Sequence, residues 1–184
     1  MNRVPAVIAS LAMALSTSVA LGLPAPPSGY SWYEVGEMKG GFLVPDGWHV
    51  RREESKGYLG TLVYYVTELP FEPSQRYLVG VNINIYLSIP SAPRQMERAF
   101  VDEAAKHSVE VERGGFGPFK TIQYQFRIPA TPEHKTIQVV RLAVSNTKTN
   151  ATYVLIFGTP ADDWQRTWPI AEKILKMLAL NDKV

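Results

Sequence analysis

Hydrophobic and polar residues alternate along much of the chain with a period of two. In segment 81–89 every odd position is aliphatic, namely Val81, Ile83, Ile85, Leu87 and Ile89. An extended chain turns alternate side chains to the same side, so this segment is predicted to be a half-buried strand. Segment 121–128 repeats the pattern, with Ile122, Tyr124, Phe126 and Ile128 predicted to face inward.

Further strands are predicted from short runs rich in apolar and β-branched residues. Segments 137–144 and 152–157 are separated by the polar residues 145–150, which predicts a hairpin. Segment 62–68 is another strand candidate. Segment 42–44 precedes Pro45-Asp46-Gly47, a sequence typical of a tight turn.

Two segments have a helical period instead. Residues 94–107 are good helix formers in which Met96, Phe100 and Ala104 recur every four positions, which predicts one amphipathic helix. Thr159-Pro160-Ala161-Asp162 is typical of a helix start, and an apolar stripe follows it. Trp164 and Trp168 lie on this stripe and are expected to anchor the helix to the sheet. Pro169 is expected to kink or restart it.

The order of these elements is strands, a helix, further strands and a terminal helix. Successive strands joined by short polar turns favour antiparallel pairing. Helices that stand outside the strand series favour an α+β protein. We therefore expect one α+β domain over residues 30–184, with an antiparallel β-sheet of about six strands packed with helices.

The first residues match a secretory signal peptide. A short cationic start containing Arg3 is followed by an apolar run and then by small residues that end in Ser18-Val19-Ala20. Cleavage is expected after Ala20, with Gly22 as an alternative, which leaves a Pro-rich leader over residues 21–29. The mature protein is expected to be periplasmic or secreted, with no membrane span.

Composition excludes some classes of function. The 184 residues contain no cysteine, so disulfides, thiolate zinc sites and thiol nucleophiles are excluded. Lysine and arginine number 19 against 17 acidic residues, a formal charge of +2, and they form no basic block. This balance gives no electrostatic basis for binding nucleic acid.

The histidines do not form a recognisable catalytic or metal site. His49, His107 and His134 are far apart, and only His107 has a helical neighbour of suitable spacing, Glu103. Two ligands make a poor Zn²⁺ site, so a solvated helix pair is the preferred interpretation. The charged residues around His49 are interpreted as a strand edge that discourages aggregation. We expect no enzyme activity and no cofactor.

Several turn and aromatic motifs resemble those of a known superfamily. They are residues 41–48 ending in Trp48, residues 57–65, Ser91-Ala92-Pro93, Gly117-Pro118-Phe119 and residues 159–164. With them the chain resembles small bacterial proteins of the PsbP-like superfamily, which includes the PsbP extrinsic subunit of photosystem II and a Ran-binding nuclear import factor. The resemblance covers roughly residues 32–180. It implies an antiparallel sheet sandwiched by helices (α/β/α) and no enzymatic chemistry.

The polar sides of two predicted strands form the candidate binding surface. It would consist of Asn82, Asn84, Tyr86 and Ser88 from one strand and Gln123, Gln125 and Arg127 from the other, if the two strands are neighbours. Amides and a phenol can recognise a polar partner without strong electrostatics. The alternative is an ordinary solvated or helix-covered sheet face.

These features lead to two functional hypotheses. The first is an exported, non-catalytic binding or accessory module that acts through contacts with an unknown protein partner in the cell envelope. The second is a small-ligand carrier with an aromatic cavity between helix and sheet. It is motivated by nine tyrosines, seven phenylalanines and four tryptophans.

Overall fold

The computed structural model describes residues 23–54, 61–70, 79–87 and 89–184. The predicted signal peptide, its cleavage site at Ala20, and Ser88 lie outside the described residues.

The described chain contains ten strands and two α-helices. The strands are β1 (Tyr30–Val35), β2 (Gly40–Pro45), β3 (His49–Glu54), β4 (Leu62–Thr67), β5 (Gly80–Tyr86), β6 (Glu112–Phe116), β7 (Phe119–Ile128), β8 (Ile137–Asn146), β9 (Thr152–Pro160) and β10 (Leu178–Ala179). The helices are α1 (Ala92–Lys106) and α2 (Trp164–Lys176). The prediction of an α+β fold is confirmed, whereas the predicted number of strands, about six, was too low. The hydrophobic pattern did not predict β1, β6 and β10, because they are short or rich in polar residues and glycine.

The strands form two antiparallel sheets. The larger has the order β3-β4-β5-β9-β8-β7-β6, and the smaller has the order β1-β2-β10. Strands β8 and β9 pair as the predicted hairpin, with Ser145 opposite Thr152. Strand β3 lies at an edge of the larger sheet, as the charged residues around His49 predicted.

Each face of the larger sheet carries its own hydrophobic core. On the first face, Val81, Ile83 and Ile85 pack with side chains of α2 and the small sheet, including Ile174 and Phe42. We call this the α2 face. On the opposite, α1 face, the inward side chains of β7 pack against Phe100 and Ala104 of α1. The aliphatic flank of β5 and the apolar flank of β7 up to Phe126 are therefore buried, and they point to opposite sides of the sheet. The predicted strand 81–89 ends earlier, at Tyr86, and Leu87, Ile89 and Ile128 are half-buried.

Helix α2 begins later than its sequence signature predicted. Residues Ala161–Asp163 form a 3-10 turn, and the helix begins at Trp164. Thr159 does not cap it, because its hydroxyl is buried and accepts a hydrogen bond from the Thr167 hydroxyl at 3.2 Å. The predicted restart near Thr167 is wrong, since one helix continues through Pro169. Pro169 is exposed, and its missing N–H removes one hydrogen bond from the helix.

The two tryptophans anchor α2 as expected. Their rings stack on each other with centroids 4.8 Å apart. Trp164 and Trp168 lie 5.9 and 6.1 Å from the ring of Phe157 in β9. Neither helix of the described chain is long and apolar enough to cross a bilayer.

Candidate functional site

The polar residues expected to form one surface lie on two separate surfaces. Asn82, Asn84 and Tyr86 are on β5, whereas Gln123, Gln125 and Arg127 are on β7, and β9 and β8 lie between these strands. The candidate surface required β5 and β7 to be neighbours, and they are not.

The two groups also face opposite sides of the sheet. Ile83 lies opposite Leu155, Leu155 opposite Leu142, and Leu142 opposite Gln123. Directly paired residues in antiparallel strands point to the same face, so Gln123 shares the α2 face with Ile83. The neighbouring Asn82 and Asn84 consequently point to the α1 face. The separation arises because α2 covers the aliphatic side of β5 whereas α1 covers that of β7.

On the α2 face, the polar group of β7 is largely engaged with its neighbours. Gln123 donates to Glu112 at 2.7 Å, and Arg127 donates to Gln138 at 2.7 Å. Gln125 lies between them and is exposed.

On the α1 face, the polar group of β5 belongs to a wider surface. In one row across the sheet Arg51 lies opposite Tyr65, and Tyr65 lies opposite Asn82. In the adjacent row Glu53 lies opposite Val63, and Val63 lies opposite Asn84. Arg51 is exposed and the other members are half-exposed. No described helix packs on β3, β4 or β5 on this side, and we call these six residues the open face.

The two asparagines of the open face are paired with each other. The Nδ2 of Asn84 donates to the Oδ1 of Asn82. Within the described chain, this leaves the Oδ1 of Asn84 and the Nδ2 of Asn82 without a hydrogen bond, so the pair presents one unused carbonyl oxygen and one unused amide nitrogen. Beside it, Arg51 and Glu53 form an ion pair at 2.5 Å that leaves the surface close to neutral.

A polar network marks the border between the open face and α1. In the row that contains Asn82, Ile156 comes next, followed by Arg141 and Tyr124. The Nη1 of Arg141 donates to Glu103 of α1 and, at 3.1 Å, to the hydroxyl of Tyr124. Burial raises the pKa of Tyr124, although the adjacent Arg141 opposes this. Water is thus partly excluded at the base of α1.

Tyr86 continues the same border. Its ring packs against the core beneath α1, and burial raises the pKa of its hydroxyl. Tyr86 therefore separates the covered part of the α1 face from the open face.

In the described part of the chain, the histidines do not come together with other metal ligands. Within the described ranges, no group of three or more histidine, aspartate and glutamate residues is placed to hold a metal ion. Glu103 pairs with Arg141 rather than sharing a cation with His107. The imidazole of His107 stacks on Phe126, with ring centroids 3.9 Å apart.

Several residues of the open face and its border were not singled out from the sequence, although three of them had a detectable signal. Val63 and Tyr65 occupy alternate positions in a predicted strand, which places them on one flank. Arg141 is the one charged residue in the mainly apolar segment 137–144, which also contains Gln138, and this pattern indicates a specific buried partner. The partner, Glu103, lies 38 positions earlier in the chain and has no local signal.

Comparisons with known proteins bear on the fold. No protein-family model matches the sequence, and no curated protein matches it. The solution structure of cyanobacterial PsbP (CyanoP) from Synechocystis is similar with a TM-score of 0.53 and 12% identity, over 90% of this chain and 98% of that one.

Two other solved structures are more distant. A crystal structure from Bacteroides thetaiotaomicron has a TM-score of 0.47 and 12% identity over 77% of this chain, which spans 45% of that longer chain. A Pseudomonas aeruginosa protein of unknown function has a TM-score of 0.36 and 14% identity, over 81% of this chain and 95% of that one. The likeness to cyanobacterial PsbP shows that the chain has a PsbP-like fold, as the sequence resemblance implied.

Proposed function

We propose that this protein is an exported, non-catalytic binding or accessory module that acts through protein contacts made by the open face. Export is supported by the signal-peptide pattern of residues 1–20. The binding role is supported by the partly exposed side chains of the open face at the β3 end of the larger sheet.

The chemistry of the open face carries the proposal. Of its six residues, Tyr65 and Arg51 are of types that are enriched at protein interfaces, and they are accompanied by Val63, Glu53 and two amides. The free acceptor of Asn84 and the free donor of Asn82 can both be satisfied by a polar partner. Because the one charged pair is internally neutralised, recognition would depend on shape and hydrogen bonds more than on net charge.

A matched pair of variants tests this function. Asn84→Arg places a long cation on the open face, whereas Gln125→Arg places the same side chain on the opposite side of the sheet. Each tagged variant is used to pull down partners from the native envelope fraction, after chemical cross-linking. We expect Asn84→Arg to capture at least tenfold less partner than the original protein, and Gln125→Arg to capture as much as the original protein.

Folding must be controlled in the same experiment. Both positions are at least partly exposed, so the melting temperature of each variant should stay within about 3 °C of the original. Equal capture by both folded variants, or equal loss, would show that the open face is not the contact surface.

The small-ligand carrier is the second proposed function. Its ligand would have to enter between α1 and the sheet, where the buried ring of Phe100 meets Tyr124 edge to face at 5.3 Å and Tyr124 stacks with Phe126 at 5.7 Å. A thermal-shift screen against lipids, sugars and ions tests it, because a ligand specific for the native state raises the melting temperature. No shift with any class would reject the carrier without affecting the protein-contact proposal.

A further inference from the structure

The residues that follow β10 connect the two sheets. Leu178 and Ala179 of β10 pair with β2 of the small sheet and are 4% and 6% exposed. Residues 180–184 then reach the β8–β9 turn of the larger sheet, and we call these five residues the strap. Each residue of the strap is at least partly exposed. The strap therefore buries less of its surface than β10 does, which is typical of a segment that opens locally.

Side chains of the β8–β9 turn hold the strap in place. The Nδ2 of Asn146 donates to the carbonyls of Asp182 at 3.1 Å and Val184 at 3.2 Å. The Thr149 hydroxyl donates to the same Val184 carbonyl at 2.6 Å, and Lys148 forms an exposed ion pair with Asp182 at 3.5 Å. Water can replace such bonds when they open, so their net contribution to stability is modest. They can also break without unpairing β8 from β9.

The strap covers one end of the core on the α2 face. The backbone N–H of Asn146 donates to the carbonyl of Ala151 at 2.8 Å, so these two residues lie opposite each other and share this face. Ala151 is 0% exposed although it lies beside a turn. Ala151, Tyr153 and Leu178 belong to one apolar cluster, against which Leu180 of the strap packs. Detaching the strap would bring water to this end of the cluster.

Two opposing influences act on the strap. The hydroxyl of Tyr153 is buried without a hydrogen-bond partner in the described chain, and hydration would remove the cost of that burial. The hydrogen bonds from Asn146 and Thr149 act in the opposite direction, because they exist only while the strap is attached.

We infer that the strap is a conformational device that detaches from the β8–β9 turn while both sheets stay folded. Detachment exposes the end of the core that contains Ala151 and Tyr153, and β10 remains paired with β2. This opening is independent of the open face and goes beyond the proposed function.

Thiol labelling measures the opening, because the chain contains no cysteine of its own. Full-length Ala151→Cys places one thiol beneath the strap. Ala143→Cys is the matched control, since Ala143 is 2% exposed in the core on the α1 face. The labelling rate of each variant at neutral pH is compared with the rate that its own global unfolding, measured in urea, would allow. We expect Ala151→Cys to react about tenfold faster than this limit and Ala143→Cys to react at it.

Second substitutions in the Ala151→Cys protein test the two influences. Asn146→Asp removes both donors to the strap and should speed labelling about tenfold, whereas Tyr153→Phe removes the buried hydroxyl and should slow it about threefold. Labelling of Ala151→Cys at the rate of global unfolding would overturn the inference. An unchanged rate in either double variant would do the same.

A nitroxide attached to Lys183→Cys provides a reading that leaves the core intact, because Lys183 is exposed. Its spectrum should contain an immobilised and a mobile population, and Asn146→Asp should raise the mobile fraction about threefold. A single immobilised population with and without Asn146→Asp would overturn the inference even if Ala151→Cys does not fold.

Discussion

At the scale of single residues, the hydroxyl of Tyr153 is a polar group buried among apolar side chains. The side chain is 1% exposed and lies on the α2 face between Ile85 and Val144. Its oxygen has no hydrogen-bond partner in the described chain. Burial raises the pKa of Tyr153 from its ordinary 10.0 to about 12, because the phenolate would lose its hydration.

Tyr153→Phe is expected to leave the free energy of unfolding unchanged at pH 7 or to raise it by about 1 kcal/mol, since it removes an unsatisfied polar group. The pH dependence gives a sharper result. The unfolded tyrosine ionises near pH 10 and the folded one near 12, so the original protein should lose about 2 kcal/mol relative to the variant between pH 10 and pH 12. Urea unfolding at pH 7, 10, 11 and 12 measures the difference. Parallel stability curves would contradict it.

Asn146 shows the opposite case, a buried polar side chain with all its groups in use. It is 0% exposed, and its Nδ2 donates to the carbonyls of Asp182 at 3.1 Å and Val184 at 3.2 Å. Its Oδ1 accepts from the backbone N–H of Lys148 at 2.9 Å. One amide thus ties the β8–β9 turn to residues 182–184.

Asn146→Ala should lower the free energy of unfolding by about 2–3 kcal/mol, because three hydrogen bonds are lost and the N–H of Lys148 is left unpaired. Asn146→Asp is the near-isosteric control. It keeps the acceptor but loses both donors, and it should be at least as damaging. Denaturant unfolding combined with hydrogen exchange of residues 180–184 measures both effects, and an unaffected aspartate variant would refute the role given to Nδ2.

At the scale of elements, α1 contacts its sheet through apolar side chains and two ion pairs, the exposed Glu97–Arg113 pair at 3.2 Å and the less exposed Glu103–Arg141 pair. The side chain of Arg141 is 25% exposed, and its Nε is buried without a partner in the described chain. The guanidinium is therefore only partly compensated, by Glu103 and the hydroxyl of Tyr124. A charge in this position depends strongly on its partner.

Glu103→Ala is predicted to destabilise the protein by about 1–2 kcal/mol, less than for a fully buried pair because water still reaches the site. In Arg141→Met the change should be smaller, since removing the charge removes its desolvation cost. The double variant completes a double-mutant cycle from which the coupling energy is obtained by denaturant unfolding. Additive losses from the two single variants would mean that the ion pair does not hold α1.

At the scale of the whole molecule, the two halves of the larger sheet are covered mainly on opposite faces. The small sheet and α2 cover the α2 face, mainly over β4, β5, β9 and β8, whereas α1 covers the other face over β7 and β8. A single helix is too narrow to cover seven strands. The open face is a direct result of this mismatch in width.

Export concerns the whole chain and has a simple test. Protein purified from the extracytoplasmic fraction should begin with Leu21-Gly22-Leu23-Pro24, because signal peptidase is expected to cut after Ala20. N-terminal sequencing and intact mass measure this, and replacing the small residue Ala20 by Arg should block processing. A chain that retains Met1 and stays in the cytoplasm would refute export.

The sequence alone determined those features that depend on near neighbours in the chain. Alternation identified the buried flanks of β5 and β7, four-residue spacing identified α1, and the polar residues 145–150 identified the hairpin turn. The charges around His49 indicated an edge strand. Such patterns report whether a segment has one apolar side, because backbone geometry fixes the spacing of side chains on that side.

Only the tertiary structure decided which layer each apolar side meets. The insertion of β9 and β8 between β5 and β7, and the burial of the latter two strands against different helices, placed Asn84 and Gln125 on opposite surfaces. Strand order depends on pairing between residues far apart in sequence, and so does the contact of Glu103 with Arg141. Local periodicity contains no information about these long-range choices, which are settled by how the layers pack together.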